Sequence, residues 1–166
     1  MKRLIISVFM AMITMACDKK YEEPISNDEL HHIFDTLYAE IDGDITRIYV
    51  ENDKYLRWTA GDEISYFPAI TYNMEYRFNG ETGDNNGTFA KVTTDLVTGN
   101  DLEKCYAVYP YAESTYMADD GIISYEFPET QLYAEDSFGL GANVMVAISE
   151  SVEDNVLYFK NVCGYI

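Results

Sequence analysis

An all-β fold is predicted by three features of this 166-residue chain. Short apolar runs rich in Tyr, Val, Ile, Phe and Thr recur along it, with alternating faces where they are clearest. Gly, Asp, Asn and Pro clusters separate them as turn signals. No stretch after Cys17 sustains the i, i+3, i+4 period that a packed helix requires. Together these point to an antiparallel β-sandwich or barrel.

The first 17 residues are of a different kind. Lys2 and Arg3 precede an uncharged apolar run, Leu4 to Ala16, which ends at Cys17. A basic start, a short apolar core and a small residue before a cysteine are the marks of a secretory signal with a lipobox-like cleavage site. The run is shorter than the ~20 apolar residues a transmembrane helix needs. Cleavage before Cys17 and acylation of the new N-terminus are therefore expected, with Cys17 as the lipidation site. More than one acyl chain is needed for stable anchoring, since a single chain binds only marginally.

Residues 1–16 are thus read as signal peptide, 17–30 as a flexible tether and 31–166 as one β-domain. The tether, DKKYEEPISNDEL after Cys17, is polar, contains Pro24 and has no apolar period. From Ile33 the pattern alternates, with Leu37, Ala39 and Ile41 on one strand face and Tyr38 and Glu40 on the other. A turn at Asp42-Gly43-Asp44 leads to Ile45–Val50 and then, after a polar break, to Tyr55–Trp58. Gly61-Asp62 turns into Glu63–Phe67, which Pro68 stops. Strands are expected at Tyr76–Asn79 and Thr88–Thr93, joined by the turn-rich Gly80–Gly87. Cys105–Tyr111 reads as a central strand ending at Pro110. Asp119-Asp120-Gly121 turns into Ile122–Phe127, closed by Pro128, and Val144–Ser149 and Val156–Ile166 complete the set. The last run reaches Ile166 without a turn or polar tail, the pattern expected of a sandwich incomplete at its C-terminus.

Charge narrows the functional classes. The formal net charge is −18, and losing Lys2 and Arg3 with the signal deepens it by two. Such a surface excludes a nucleic-acid footprint and contact with anionic lipid other than through the anchor. Nucleophilic catalysis lacks its base, because the only histidines are His31 and His32 and no Gly-x-Ser-x-Gly elbow is present. As strand neighbours those two histidines point to opposite faces and do not share a metal. No catalytic residue, cofactor or metal site is expected.

Glu81, Asp84, Asn85 and Asn86 offer oxygens, but their spacing is not that of a calcium loop, and Asn and Gly suit a hairpin turn. The Asn86-Gly87-Thr88 sequon is idle behind a bacterial lipoprotein signal. Cys105 and Cys163 lie in apolar runs where a thiol packs as a small hydrophobe, with pairing the alternative in an exported protein. Of the 15 tyrosines most are expected to pack in strands. Tyr106 and Tyr109 fall on opposite faces, and Tyr111 and Tyr116 are the candidates for exposure.

The segments RWTAGDEISYF (57–67), YRFNGETGDNNGTF (76–89), YAVYPY (106–111), FPETQLYAEDSFGLGANVMVAIS (127–149) and LYFKNVCGY (157–165) occur in an order that resembles fimbrillin-like surface lipoproteins, the Mfa-like and major fimbrillin superfamily. The resemblance implies a transthyretin-like β-sandwich N-terminal domain, with the family's second β-domain absent here. It also implies a lipid-anchored, surface-exposed subunit at the outer membrane that works in type V pilus assembly or adhesion. Its partners would be other fimbrial subunits, engaged by strand addition, and a host or bacterial surface ligand. Shaft subunits of the family are cut after a basic residue near the first strand, and Arg47 matches that position. The alternative is a non-polymerising lipoprotein that binds glycan or calcium through its loops.

Overall fold

The computed structural model describes residues 33–42, 56–94, 97, 102–130 and 143–162. These form nine strands: β1 (Thr36–Ile41), β2 (Glu63–Phe67), β3 (Met74–Phe78), β4 (Asn86–Lys91), β5 (Tyr106–Tyr109), β6 (Tyr116–Met117), β7 (Ile123–Ser124), β8 (Met145–Ile148) and β9 (Val156–Asn161). The described residues contain no helix. Seven strands close into one barrel-like sheet in the order β1-β4-β3-β2-β5-β8-β9, and β6 and β7 make a separate hairpin. The expected all-β class holds. The expected antiparallel sandwich or barrel takes the form of a closed, barrel-like sheet, antiparallel in every pairing except one, the parallel pair of β1 with β9 that closes it. That pair joins residues from opposite ends of the described chain, a non-local contact that local alternation does not encode.

Alternation places the core. Leu37, Ala39 and Ile41 of β1 point inward with Ile64 and Tyr66 of β2, Met74, Tyr76 and Phe78 of β3, Phe89 of β4, and Leu157 and Phe159 of β9. The other face of β2, β5 and β8 is also apolar. Phe67, Val108 and Val144 pack there with Met117 of β6, while Ile123 and Tyr125 close over them. One side of the barrel wall is therefore covered by the segment carrying β6 and β7.

Trp58 fills one end of the barrel. The sequence predicts a strand through Tyr55–Trp58, but Leu56–Thr59 is irregular and fully buries the indole. Backbone bonds hold this segment on the β3–β4 turn, Trp58 N–H to Asp84 O at 2.7 Å and Gly83 N–H to Trp58 O at 2.9 Å. The ring lies edge-on to Phe89, Tyr109 and Phe159, with centroids 5.0–5.4 Å away. Its buried Nε1 has no conventional acceptor.

Phe78 explains two glycines nearby. Its ring covers Gly80 and Gly87, and a Cβ on Gly87 would stand 2.6 Å from Phe78 Cε2. Register places Phe78 opposite Phe89, so two residues further on Gly80 faces Gly87. Two bare backbones under one aromatic ring fill the space that side chains would take.

Gly87→Ala is expected to destabilise the fold by about 1–3 kcal/mol through forced movement of Phe78. Urea unfolding followed by the emission of Trp58, the only tryptophan, measures this.

Candidate functional site

β1 is the strand that closes the sheet. It lies between β4, antiparallel through Thr36↔Ala90 to Glu40↔Asn86, and β9, parallel through Tyr38↔Val156 to Ile41↔Phe159. Lys91 N–H donates to Asp35 O and Ile41 N–H to Asn85 O on the β4 side. Tyr38 N–H donates to Asn155 O and Asp42 N–H to Phe159 O on the β9 side. Both backbone edges of β1 are thus engaged, and its three inward side chains are almost wholly buried. Just before β1, the Tyr76 hydroxyl donates to Phe34 O.

Ion pairs mark both ends of the strand. Lys91 Nζ lies 2.8 Å from Asp35, and Lys160 Nζ lies 3.5 Å from Asp42. The Asp35 side chain is 91% exposed, so its pair is worth no more than about 1 kcal/mol. The apolar face and the ladder hold the strand, and the charges contribute little. A groove vacated by β1 would have unpaired backbone on two edges and pockets at alternate positions, the requirements for a replacement strand.

A second polar group sits at the Trp58 end. Thr59 N–H donates to Asp62 Oδ2 at 2.7 Å, and the Tyr109 hydroxyl donates to Oδ1 at 3.2 Å. Gly61, with φ +85°, allows the turn that brings Asp62 back to Thr59. Burial raises the Asp62 carboxyl above its ordinary value of 3.8, the two hydrogen bonds oppose this, and Glu63 adds to the rise. Burial likewise pushes the hydroxyls of Tyr109, Tyr66 and Tyr76 upward, so they remain neutral donors. On the outer face Arg77 joins Glu63 at 2.7 Å to Glu75 at 3.3 Å.

The predicted positions fall unevenly. Cys17, Arg47, His31, His32 and Cys163 lie outside the described residues. Cys105 is a free, buried thiol, pushed up by burial against hydrogen bonds with Tyr66 and Ser149. Tyr109 packs inward and Tyr106 against the outer cluster, on opposite faces as expected. Tyr116 is well exposed, whereas Tyr111 is half-buried. In the β3–β4 turn, Asp84 Oδ2 accepts from Glu81 N–H at 3.0 Å, so it serves turn geometry. No group of three metal-ligating side chains occurs among the described residues, nor a helix long and apolar enough to cross a membrane. The Asp62–Tyr109 pair was not visible in the sequence, where Asp62 carries only a turn signal.

The structure defines an all-β protein with a closed seven-stranded sheet and a first strand inserted between two non-sequential neighbours. No family model, curated protein or solved structure matches the chain.

Two outcomes follow from this geometry. Leu37→Ala is expected to cost about 2–5 kcal/mol by emptying a core position, and Lys91→Ala less than about 1 kcal/mol; denaturant titration ranks them. For Asp62, the raised folded pKa means that the native state holds its proton more tightly than the unfolded chain. Stability from this group is greatest below 3.8 and is lost as pH rises through the raised folded value. The unfolding free energy of wild type should therefore fall relative to Asp62→Asn across that window, measured by urea titration at a series of pH values.

Proposed function

We propose that this chain is a lipid-anchored surface subunit of the fimbrillin-like kind, with β1 as the element exchanged in strand-mediated assembly. The observation carrying this reading is the position of β1: both edges paired, Leu37, Ala39 and Ile41 buried, and little held by charge. Arg47 follows β1 closely in sequence. A cut after it severs the covalent link from β1 to the rest of the domain, leaving ladder bonds and pockets as the attachment. A strand from another subunit with the same alternation then satisfies the same groove. Cys17 supplies the tether to the outer membrane before the cut. The transthyretin-like sandwich, as a finer description of the closed sheet, rests on the resemblance of the ordered segments.

Loop capture of a glycan is a second reading, favoured by exposed Tyr116, Ile122 and Phe127 around the β6–β7 hairpin. Amphipathic rings at an exposed edge suit sugar stacking.

The test is to express the full chain in a gram-negative anaerobe and determine the N-terminus and assembly state of the surface form. Assembly by exchange predicts membrane-bound precursor carrying acylated Cys17, surface protein beginning at Ile48, and higher oligomers that Arg47→Ala abolishes. Surface protein that retains β1 and remains monomeric overturns this reading, and glycan-array binding by that monomer, lost in Tyr116→Ala, establishes the second.

A further inference from the structure

Two Asn-Gly pairs, Asn79-Gly80 and Asn86-Gly87, meet at the end of the β3–β4 ladder under the Phe78 ring. In such pairs the glycine nitrogen can attack Cγ of the asparagine. A C–N bond forms, ammonia leaves and a cyclic imide results; water then opens either carbonyl to give aspartate or isoaspartate. The attack needs a solvated asparagine and a glycine N–H released from other bonds.

Only one of the two pairs meets those needs. In the β1–β4 ladder, the bonds Lys91 N–H to Asp35 O and Ile41 N–H to Asn85 O fix the odd-numbered residues of both strands as hydrogen-bonded pairs. Gly87, opposite Ala39 in that register, therefore commits its N–H to β1. The Asn86 amide is itself held, Nδ2 donating to Asn85 Oδ1 at 3.1 Å. Both asparagines are exposed, so the backbone separates them: Asn79 lies beyond β3, outside the ladder that holds Asn86. Its own N–H makes the last bond to β4, at 2.8 Å to Thr88 O. Gly80 then falls on the non-bonded side of the ladder, with its N–H directed away from β4.

We propose that Asn79 is a site of spontaneous deamidation in the folded protein and that Asn86 is its protected counterpart. The fold cannot remove the hazard by enlarging Gly80, because a Cβ there runs into the Phe78 ring. Conversion at Asn79 adds a negative charge beside Glu81 and Asp84. The isoaspartate product also lengthens the main chain by one carbon next to the turn on which Trp58 docks.

Incubation of the purified full chain in mildly alkaline buffer, with site-resolved peptide mass spectrometry and isoaspartyl methyltransferase labelling, tests this. In the native protein Asn79 should convert at least about tenfold faster than Asn86, since exchange at Gly87 requires the ladder to open. In denaturant the two rates should converge, because both are Asn-Gly. Asn79→Gln should abolish the fast phase and leave Trp58 emission unchanged. Equal native rates, a faster Asn86, or an Asn79 that converts only in denaturant would each overturn the assignment.

Discussion

Closure of the sheet by β1 is the constraint on which the other features depend. With β1 between β4 and β9, no barrel strand is left as a free edge, and the inward faces of seven strands share one interior. The closing pair is parallel, and parallel pairing is slightly less stable per residue than antiparallel pairing. Side-chain burial compensates: Ala39 and Ile41 are almost wholly buried, and their partners on β9, Leu157 and Phe159, have no exposed surface. The seam is thus strong through packing and weak through charge.

The barrel end is organised by aromatic rings over bare backbone. Phe78 lies over Gly80 and Gly87, Phe89 packs against Phe78 at 5.1 Å, and Trp58 closes the group. Because Trp58 reaches this position on an irregular segment, its backbone groups need partners outside any strand. The β3–β4 turn supplies them through Gly83 and Asp84, and Thr82 Oγ1 accepts from Ala60 N–H at 3.1 Å. The turn therefore serves as scaffold for the Trp58 segment.

Much of the local structure was legible in the sequence. The alternation of Leu37, Ala39 and Ile41 gave both the existence and the inward face of β1, and Pro68 marked the end of β2. Gly61-Asp62 and Asp119-Asp120-Gly121 were correctly read as turns, with Gly61 and Gly121 both at positive φ. Misreadings arose where tertiary packing overrides local preference. Tyr55–Trp58 has strand composition, yet Leu56–Thr59 is irregular because a large indole is needed at the barrel end. Ile122–Phe127 shortens to Ile123–Ser124, and just beyond it Tyr125 packs on the outer cluster. Closure itself was hidden, because the partner of Tyr38 is Val156 and no local pattern specifies so distant a pairing. Of the expected site, the strand before Arg47 could be followed into the structure, whereas Cys17 and Arg47 fall outside the described residues.

The parallel seam also sets an order of events during folding. β2, β3, β4 and β5 can pair with one another as soon as they are synthesised, since each neighbours another in this group. β1, made first, can find β4 early but must wait for β9, the last described strand, before its second edge is covered. Loop-closure entropy makes such a contact late and slow. Throughout that interval the first strand has one open edge, so a chaperone or a competing strand meets its best opportunity at β1 before the ring has closed.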